Sequence, residues 1–433
     1  MITGFLIIIQ DKMESLRELF KIGCGPSSSH TMGPEKAARE IKSKYPDANR
    51  YIVDLYGSLS STGKGHLTDY AITSILEDKC TVNFKNESLP YHPNAMVFNI
   101  YQSADLVDSI TVYSVGGGSI VWEGENKEFQ QEDVYPEKNM KEIGQKLHDN
   151  GYSFYDYVIE HEDDQITEYL DKVIDTMFDC VERGLSTEGI IPGKLQLPRV
   201  AKQMYHQAIN LPEGSEKETL LVSSYAYAVA EENASGHTIV TGPTCGSSGI
   251  LPAVLYYCHK HYKIEKKQLV KALSVAGVFG NVIKTNASIS GADAGCQAEV
   301  GSACAMGAAL YAWILGLNNS LIEYAAEMGL EHNLGLTCDP VGGYVQIPCI
   351  ERNGFAALRA MDCAIYAKQL GYVRKNKVSF DAVVNVMKNT GHDLNEAYKE
   401  TSLGGLALEL LTSRIIATHT QDRSDQTKKT VEI

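Results

Sequence analysis

Between residues 16 and 122 the chain alternates short runs of β-branched and aromatic residues with polar, helix-compatible stretches; residues 51–55, 97–101 and 110–115 read as strands. Such side chains suit a pleated, half-buried surface, so this part is expected to be a mixed α/β domain. Beyond about residue 160 the strand signals fade and Ala-rich segments take over, notably 225–232, 269–276, 302–315 and 355–370. The second part is therefore expected to be all-helical. Small residues recur in it (Ala303, Ala305, Gly307, Ala308, Ala309), which lets helices approach closely around a shared centre. Residues 131–164 are polar, acidic and turn-rich, so the boundary is placed there, giving an α/β domain over 1–160 and a helical domain over 161–420. One more apolar helix is expected from Gly405 to about Thr420, then a charged tail over 421–433 that reads as solvated. The first twelve residues read as a frayed end or a mis-assigned start, because a polar helical start opens at Met13.

Composition narrows the class. Fifty-four acids against 39 bases give a net charge of −15, which excludes nucleic acid as a partner drawn by long-range attraction. The longest apolar run, residues 4–9, is far below the roughly 20 residues of a membrane helix, so a cytoplasmic protein with no membrane partner is expected. Ten cysteines in such a chain are expected to be reduced. No two form a Cys-x-x-Cys pair, so a metal site must be assembled from distant segments.

Several segments carry chemistry-bearing residues. GCGPSSSHTMGP (23–34) packs four hydroxyls and His30 between glycines and prolines. It offers donors to a carboxylate and an imidazole that moves protons near neutral pH, and it reads equally well as a Ser-rich turn capping a helix that starts near Pro34. YGSLSSTGKGH (56–66) ends like a phosphate loop but fails that pattern, with Ser58 where the first glycine belongs and Gly65 after Lys64 where a hydroxyl must hold magnesium. The glycine run 116–118 is read as a hairpin turn between two strands rather than as the phosphate cup of a pyridoxal-phosphate enzyme. The hydroxyl-rich turn 242–249 before an apolar helix is a candidate anion cradle. NASISGADAGCQ (286–297) places polar groups and Cys296 among small residues, where they need partners or a ligand. Cys338 and Cys349 stand beside Pro and Gly turns in LTCDPVGG and QIPCIERN. Taken singly, each of the three cysteines reads as a ligand or as a small core residue.

Together these segments resemble the iron–sulfur L-serine dehydratases, also called L-serine ammonia-lyases. The resemblance rests on SSSHT, YGSLSSTGKGH, His92-Pro93-Asn94, SVGGG, the stretch 183–195, NASISGADAGCQAEVG, EHNLGLTCDPVGG, IPCIERN and YKETSLGGLA, and it runs from about residue 16 to 408. It implies an N-terminal domain like the allosteric substrate-binding domains of serine-pathway enzymes, followed by an all-α domain carrying a [4Fe–4S] cluster on Cys296, Cys338 and Cys349. Three thiolates leave one iron open as a Lewis acid. The resemblance further implies His30 as the leading candidate for the base, with His92 second and His66 third. Ser28, Ser29 and Thr31 would hold the substrate carboxylate from one domain, while Asn286, Ser288 and Ser290 complete the pocket from the other. The reaction implied is elimination of water from L-serine through aminoacrylate to pyruvate and ammonia, in a homodimer, without pyridoxal phosphate. Lys284 and Lys64 are the lysines to test against that last expectation.

The chain departs from the family pattern in two ways. No cysteine follows the GGLA segment, where members often carry one able to cap the open iron, and Cys24 and Cys245 replace an expected apolar residue and an asparagine. Both are read as packing variants. The alternative from another class is a non-catalytic serine sensor with a structural cluster. Selectivity among L-serine, L-threonine and L-cysteine is not legible, since one methyl group is worth only about 1–3 kcal/mol in a pocket.

Overall fold

The computed structural model describes residues 13–124 and 133–410. Strands β1 (Ile22–Cys24), β2 (Arg50–Tyr56), β3 (Cys80–Phe84), β4 (Asn94–Gln102), β5 (Asp105–Gly116), β6 (Ser119–Trp122) and β7 (Thr238–Val240) form two sheets. The larger runs in the order β3-β2-β4-β5-β6, with β2 and β3 parallel and the remaining pairs antiparallel. Alternation along β2 buries Tyr51, Val53 and Leu55, and the helices Gly33–Lys44 and Thr68–Leu76 cover that face through Ala37, Ala38, Ile41, Ile72 and Leu76. All three expected strands lie within β2, β4 and β5. Between β5 and β6, Gly117 and Gly118 take φ of +58° and +76°, the left-handed backbone a tight hairpin needs.

From Met140 onward the described chain is mostly helical. The helix Ser302–Ile314 lies at its centre, buried from Ser302 through Ala312, and packs on Lys266–Asn286, Asn319–Glu331 and Cys349–Leu370. The small residues act as expected: a Cβ added at Gly329 would meet Ala305 Cα at 2.9 Å. The four Ala-rich segments all fall in helices.

Two features were not legible in the pattern. Residues 131–164 contain the helices Met140–Asn150 and Phe154–His161, whose Ile143, Leu147, Phe154 and Val158 enter the large helical core; their polar outer faces mask the apolar stripe. The segment before the sheet also belongs to that core, with Met13, Leu16, Leu19 and Phe20 buried in it. Gly277 and Gly280 make room for this segment, since added Cβ atoms would lie 2.6 Å from Leu16 and 2.7 Å from Leu19. β1 then pairs antiparallel with β7, so the chain enters its sheet from the helical half. The helix expected after Gly405 begins there; its course past 410, the tail and residues 1–12 lie outside the described residues.

Candidate active site

The SSSHT segment is a wide helical turn, Ser28–Met32, running directly into the helix Gly33–Lys44 with Pro34 in its first turn. Ser27 caps the turn, accepting from the His30 N–H at 3.1 Å. Most nearby hydroxyls hold the fold. Thr31 Oγ1 donates to the His66 carbonyl at 2.7 Å, Thr68 Oγ1 to the His30 carbonyl at 2.6 Å, and Ser114 Oγ to the Ser29 carbonyl at 2.7 Å. His30 is fully buried, with Nδ1 at 2.8 Å from Ser29 Oγ and Nε2 at 2.9 Å from Ser58 Oγ. Both of its ring nitrogens are therefore engaged.

His66 follows the short helix Gly57–Ser61, and its ring lies against His30 with centroids 4.5 Å apart. It is fully buried, yet neither ring nitrogen has a hydrogen-bond partner among the described residues. Burial pushes its pKa down to about 4 and, with the neighbouring His66, holds His30 well below the ordinary imidazole value. Glu400 Oε1 sits 3.7 Å from His66 Nε2 and 3.8 Å from His30 Nδ1. Burial first, and then the nearby Glu299, raise the Glu400 carboxyl well above its usual range. Glu400 has φ of +59°, and its N–H donates to the Cys338 carbonyl at 2.8 Å, which stitches the KETS segment to a cysteine loop.

Cys296, Cys338 and Cys349, distant in sequence, line one cavity together with Glu299, His66 and Glu400. All three thiols are buried and free of disulfides. Cys296 precedes the turn Gln297–Gly301, and Cys349 opens the helix Cys349–Leu370. Glu299 Oε2 lies 4.0 Å from both Cys296 Sγ and Cys338 Sγ, while Oε1 accepts from Thr244 Oγ1 at 2.7 Å. Thiol contact with Cys296 and then burial push Cys338 up, and burial pushes Cys349 up. The Arg352 guanidinium, donating to the Thr337 carbonyl at 2.7 Å, faces Cys296 and Cys349. Three soft donors converging in a buried space beside a cation and a carboxylate fit a thiolate-bound iron–sulfur group.

The remaining expected residues divide. Ser290 is buried without a hydroxyl partner among the described residues, and it abuts the glycine hairpin, where a Cβ at Gly116 would lie 3.3 Å from its Cβ. Ser288 Oγ donates to Asp293 at 2.9 Å and accepts the Ser290 N–H at 3.0 Å. His92 Nδ1 accepts from the Asn94 N–H at 3.0 Å; burial lowers its pKa and Asp293, from the other half, opposes that shift. The Asn286 amide donates to the Lys138 and Val282 carbonyls at 2.7 and 2.8 Å, so it fastens its helix end. Cys24 is exposed on β1, Cys245 is buried 3.4 Å from Met32 Sδ, and neither lines the cavity. Lys284 is paired with buried Glu14, and Lys64 lies over the Phe84 ring.

Sequence reasoning missed Glu400, Glu299, Ser58 and Arg352. All four lie in segments that carry the resemblance, and Glu299 left a further signal: Cys296-x-x-Glu299 spans nearly one helical turn, which puts thiol and carboxylate on one side.

Residues 15–81 match the family described as serine dehydratase beta chain, and residues 85–407 match serine dehydratase alpha chain. L-serine dehydratase 1 of Escherichia coli is 40% identical, over 92% of this chain and 99% of that protein. The L-serine dehydratase of Haemophilus influenzae is 38% identical over 92% and 100%, and that of Helicobacter pylori strain 26695 is 35% identical over 92% and 99%. With both portions matched in one polypeptide and such relatives aligned along nearly their whole length, this chain belongs to the serine dehydratase family.

Proposed function

We propose that this protein deaminates L-serine to pyruvate and ammonia, with His66 as the base that takes the Cα proton. The observation that carries the reading is a buried imidazole with unpartnered nitrogens lining the same cavity as three thiols. Cys296, Cys338 and Cys349 would hold a [4Fe–4S] cluster, which when bound supplies a Lewis acid for the departing hydroxyl.

The chain's own residues perform the rest. His66 is held neutral by burial, so a lone pair is present at neutral pH, and a nitrogen facing the cavity accepts the proton. The Cα–H electron pair becomes the Cα–Cβ double bond, the Cβ–O bond breaks with its electron pair going to oxygen, and the departing hydroxide takes up the proton that His66 removed, which gives water and restores the neutral imidazole. The aminoacrylate so formed tautomerises to the imine, and water hydrolyses it to pyruvate and ammonia. His30, anticipated as the base, is clamped by Ser29 and Ser58 and instead supports the His66 ring. With the Ser29 and Thr31 hydroxyls engaged in holding the turn, Ser28 and Ser290 are left to receive the substrate carboxylate and His92 borders the pocket. Cytoplasmic placement and a homodimer are part of the proposal; no helix among the described residues is long and apolar enough to cross a membrane. No observation favours the serine-sensor alternative.

The test is pyruvate formation from L-serine by protein handled without oxygen, before and after reconstitution with iron and sulfide, beside Cys338→Ala. Activity should follow iron content and vanish in the variant. Iron-loaded protein that makes no pyruvate from any small hydroxy amino acid would overturn the proposal.

A further inference from the structure

We propose that His30, His66 and Glu400 form a second metal site, separate from the three thiols, which takes one divalent transition ion such as Zn2+ and silences the base when filled. The donor atoms already converge: Glu400 Oε1 lies 3.8 Å from His30 Nδ1 and 3.7 Å from His66 Nε2, and the three side chains form one buried group. A tetrahedral zinc ion with bonds of roughly 2.0–2.2 Å puts adjacent donors about 3.4 Å apart, so closing on an ion asks each Glu400–histidine pair to contract by about 0.3–0.4 Å, while the two imidazole donors start within 4.8 Å of each other.

A second, independent observation points to a ligand. His66 is fully buried and aimed into the cavity, yet both ring nitrogens are without partners among the described residues, a state that buried polar groups otherwise avoid. The surroundings are built as an outer shell. Ser58 Oγ at 2.9 Å holds His30 Nε2, so an ion would take Nδ1 in exchange for its 2.8 Å contact with Ser29 Oγ, while the bond from the Glu400 N–H to the Cys338 carbonyl fixes the carboxylate's backbone. Two imidazoles and one carboxylate suit zinc, cobalt or ferrous ions, whereas the thiols favour softer, sulfur-bound iron. One cavity therefore presents two donor sets of different preference.

Ion binding here does not depend on the proposed reaction; its consequence does. A coordinated His66 has no lone pair for the Cα proton, so occupancy stops elimination without disturbing the thiols.

The test uses iron-loaded protein, titrated without oxygen with Co2+ as a coloured probe and with Zn2+ during turnover. We expect one tightly bound cobalt per chain, showing ligand-field bands of nitrogen and oxygen donors but no thiolate-to-cobalt charge transfer, with iron content unchanged. Glu400→Gln and His66→Asn should each weaken cobalt binding at least about tenfold, while His392→Asn, on an exposed histidine, leaves it unchanged. Zn2+ should inhibit pyruvate formation, and a chelator should restore it. A thiolate charge-transfer band with release of iron, unaltered binding in both site variants, or no tight cobalt at all overturns the inference. Cobalt bound as expected to protein that makes no pyruvate leaves the metal site standing and sinks the proposed function instead.

Discussion

Replacing His66 with asparagine tests the assignment of the base most directly. A positioned general base contributes typically 10²–10⁴-fold, or about 2.7–5.4 kcal/mol of barrier, and kcat/KM of His66→Asn should fall within that range. The pH dependence adds a sharper signature. The working form is the neutral imidazole, and burial lowers its pKa to about 4, so at pH 5 about nine-tenths of it remains competent. An ordinary imidazole with a pKa near 6.5 would be about 97% protonated at that pH. The acid limb of kcat/KM for the wild type is therefore expected close to pH 4.

The same shift enters stability. The unfolded chain binds a proton at His66 below about pH 6.5 and the folded chain does not, so this contribution is complete above that pH and is lost as pH falls toward 4. At about 1.36 kcal/mol per unit over about 2.5 units, it amounts to roughly 3 kcal/mol. Urea unfolding of wild type and His66→Asn across this window should show the wild type losing that much more on acidification. An acid limb near pH 6.5, or a variant with matching iron that keeps more than about a tenth of wild-type activity, would refute the reasoning. Were His30→Asn then the inactive one, the base would be His30.

Gly291→Ala should lower iron uptake while leaving helix content intact, because the new methyl would sit 2.7 Å from Glu299 Oε2 and 3.2 Å from Cys338 Sγ; full iron loading in this variant would show that the space is not needed. Arg199→Ala removes a bond of 2.7 Å to Glu232, a carboxylate with a fully buried side chain, and should destabilise the protein by about 3 kcal/mol in urea unfolding. That figure is at the low end for a broken buried pair because Arg183 and His237 still face Glu232. A loss below about 1 kcal/mol would place this pair with exposed ones.

Short runs of branched and aromatic residues located β2, β4 and β5, and Ala-rich stretches located the central helices, because burial on one face or all round leaves a composition that local reading detects. The same reading passed over β7, too short at three residues to show a period, and the amphipathic helices within 131–164. The three cysteines and the histidine segments were visible as unusual words whose resemblance to a family named the chemistry. Their division of labour was not. His30 and His66 are alike in sequence, and only the tertiary structure engages both nitrogens of one through Ser29 and Ser58 while leaving the other unpartnered at the cavity. Glu400 enters through a contact some 370 residues from His30, an approach made by the Cys338 loop bonding to the KETS segment. Local pattern records which residues can be buried and which can react. Which of them meet, and which are left with an unused lone pair, depends on long-range packing, and so only the tertiary structure decided it.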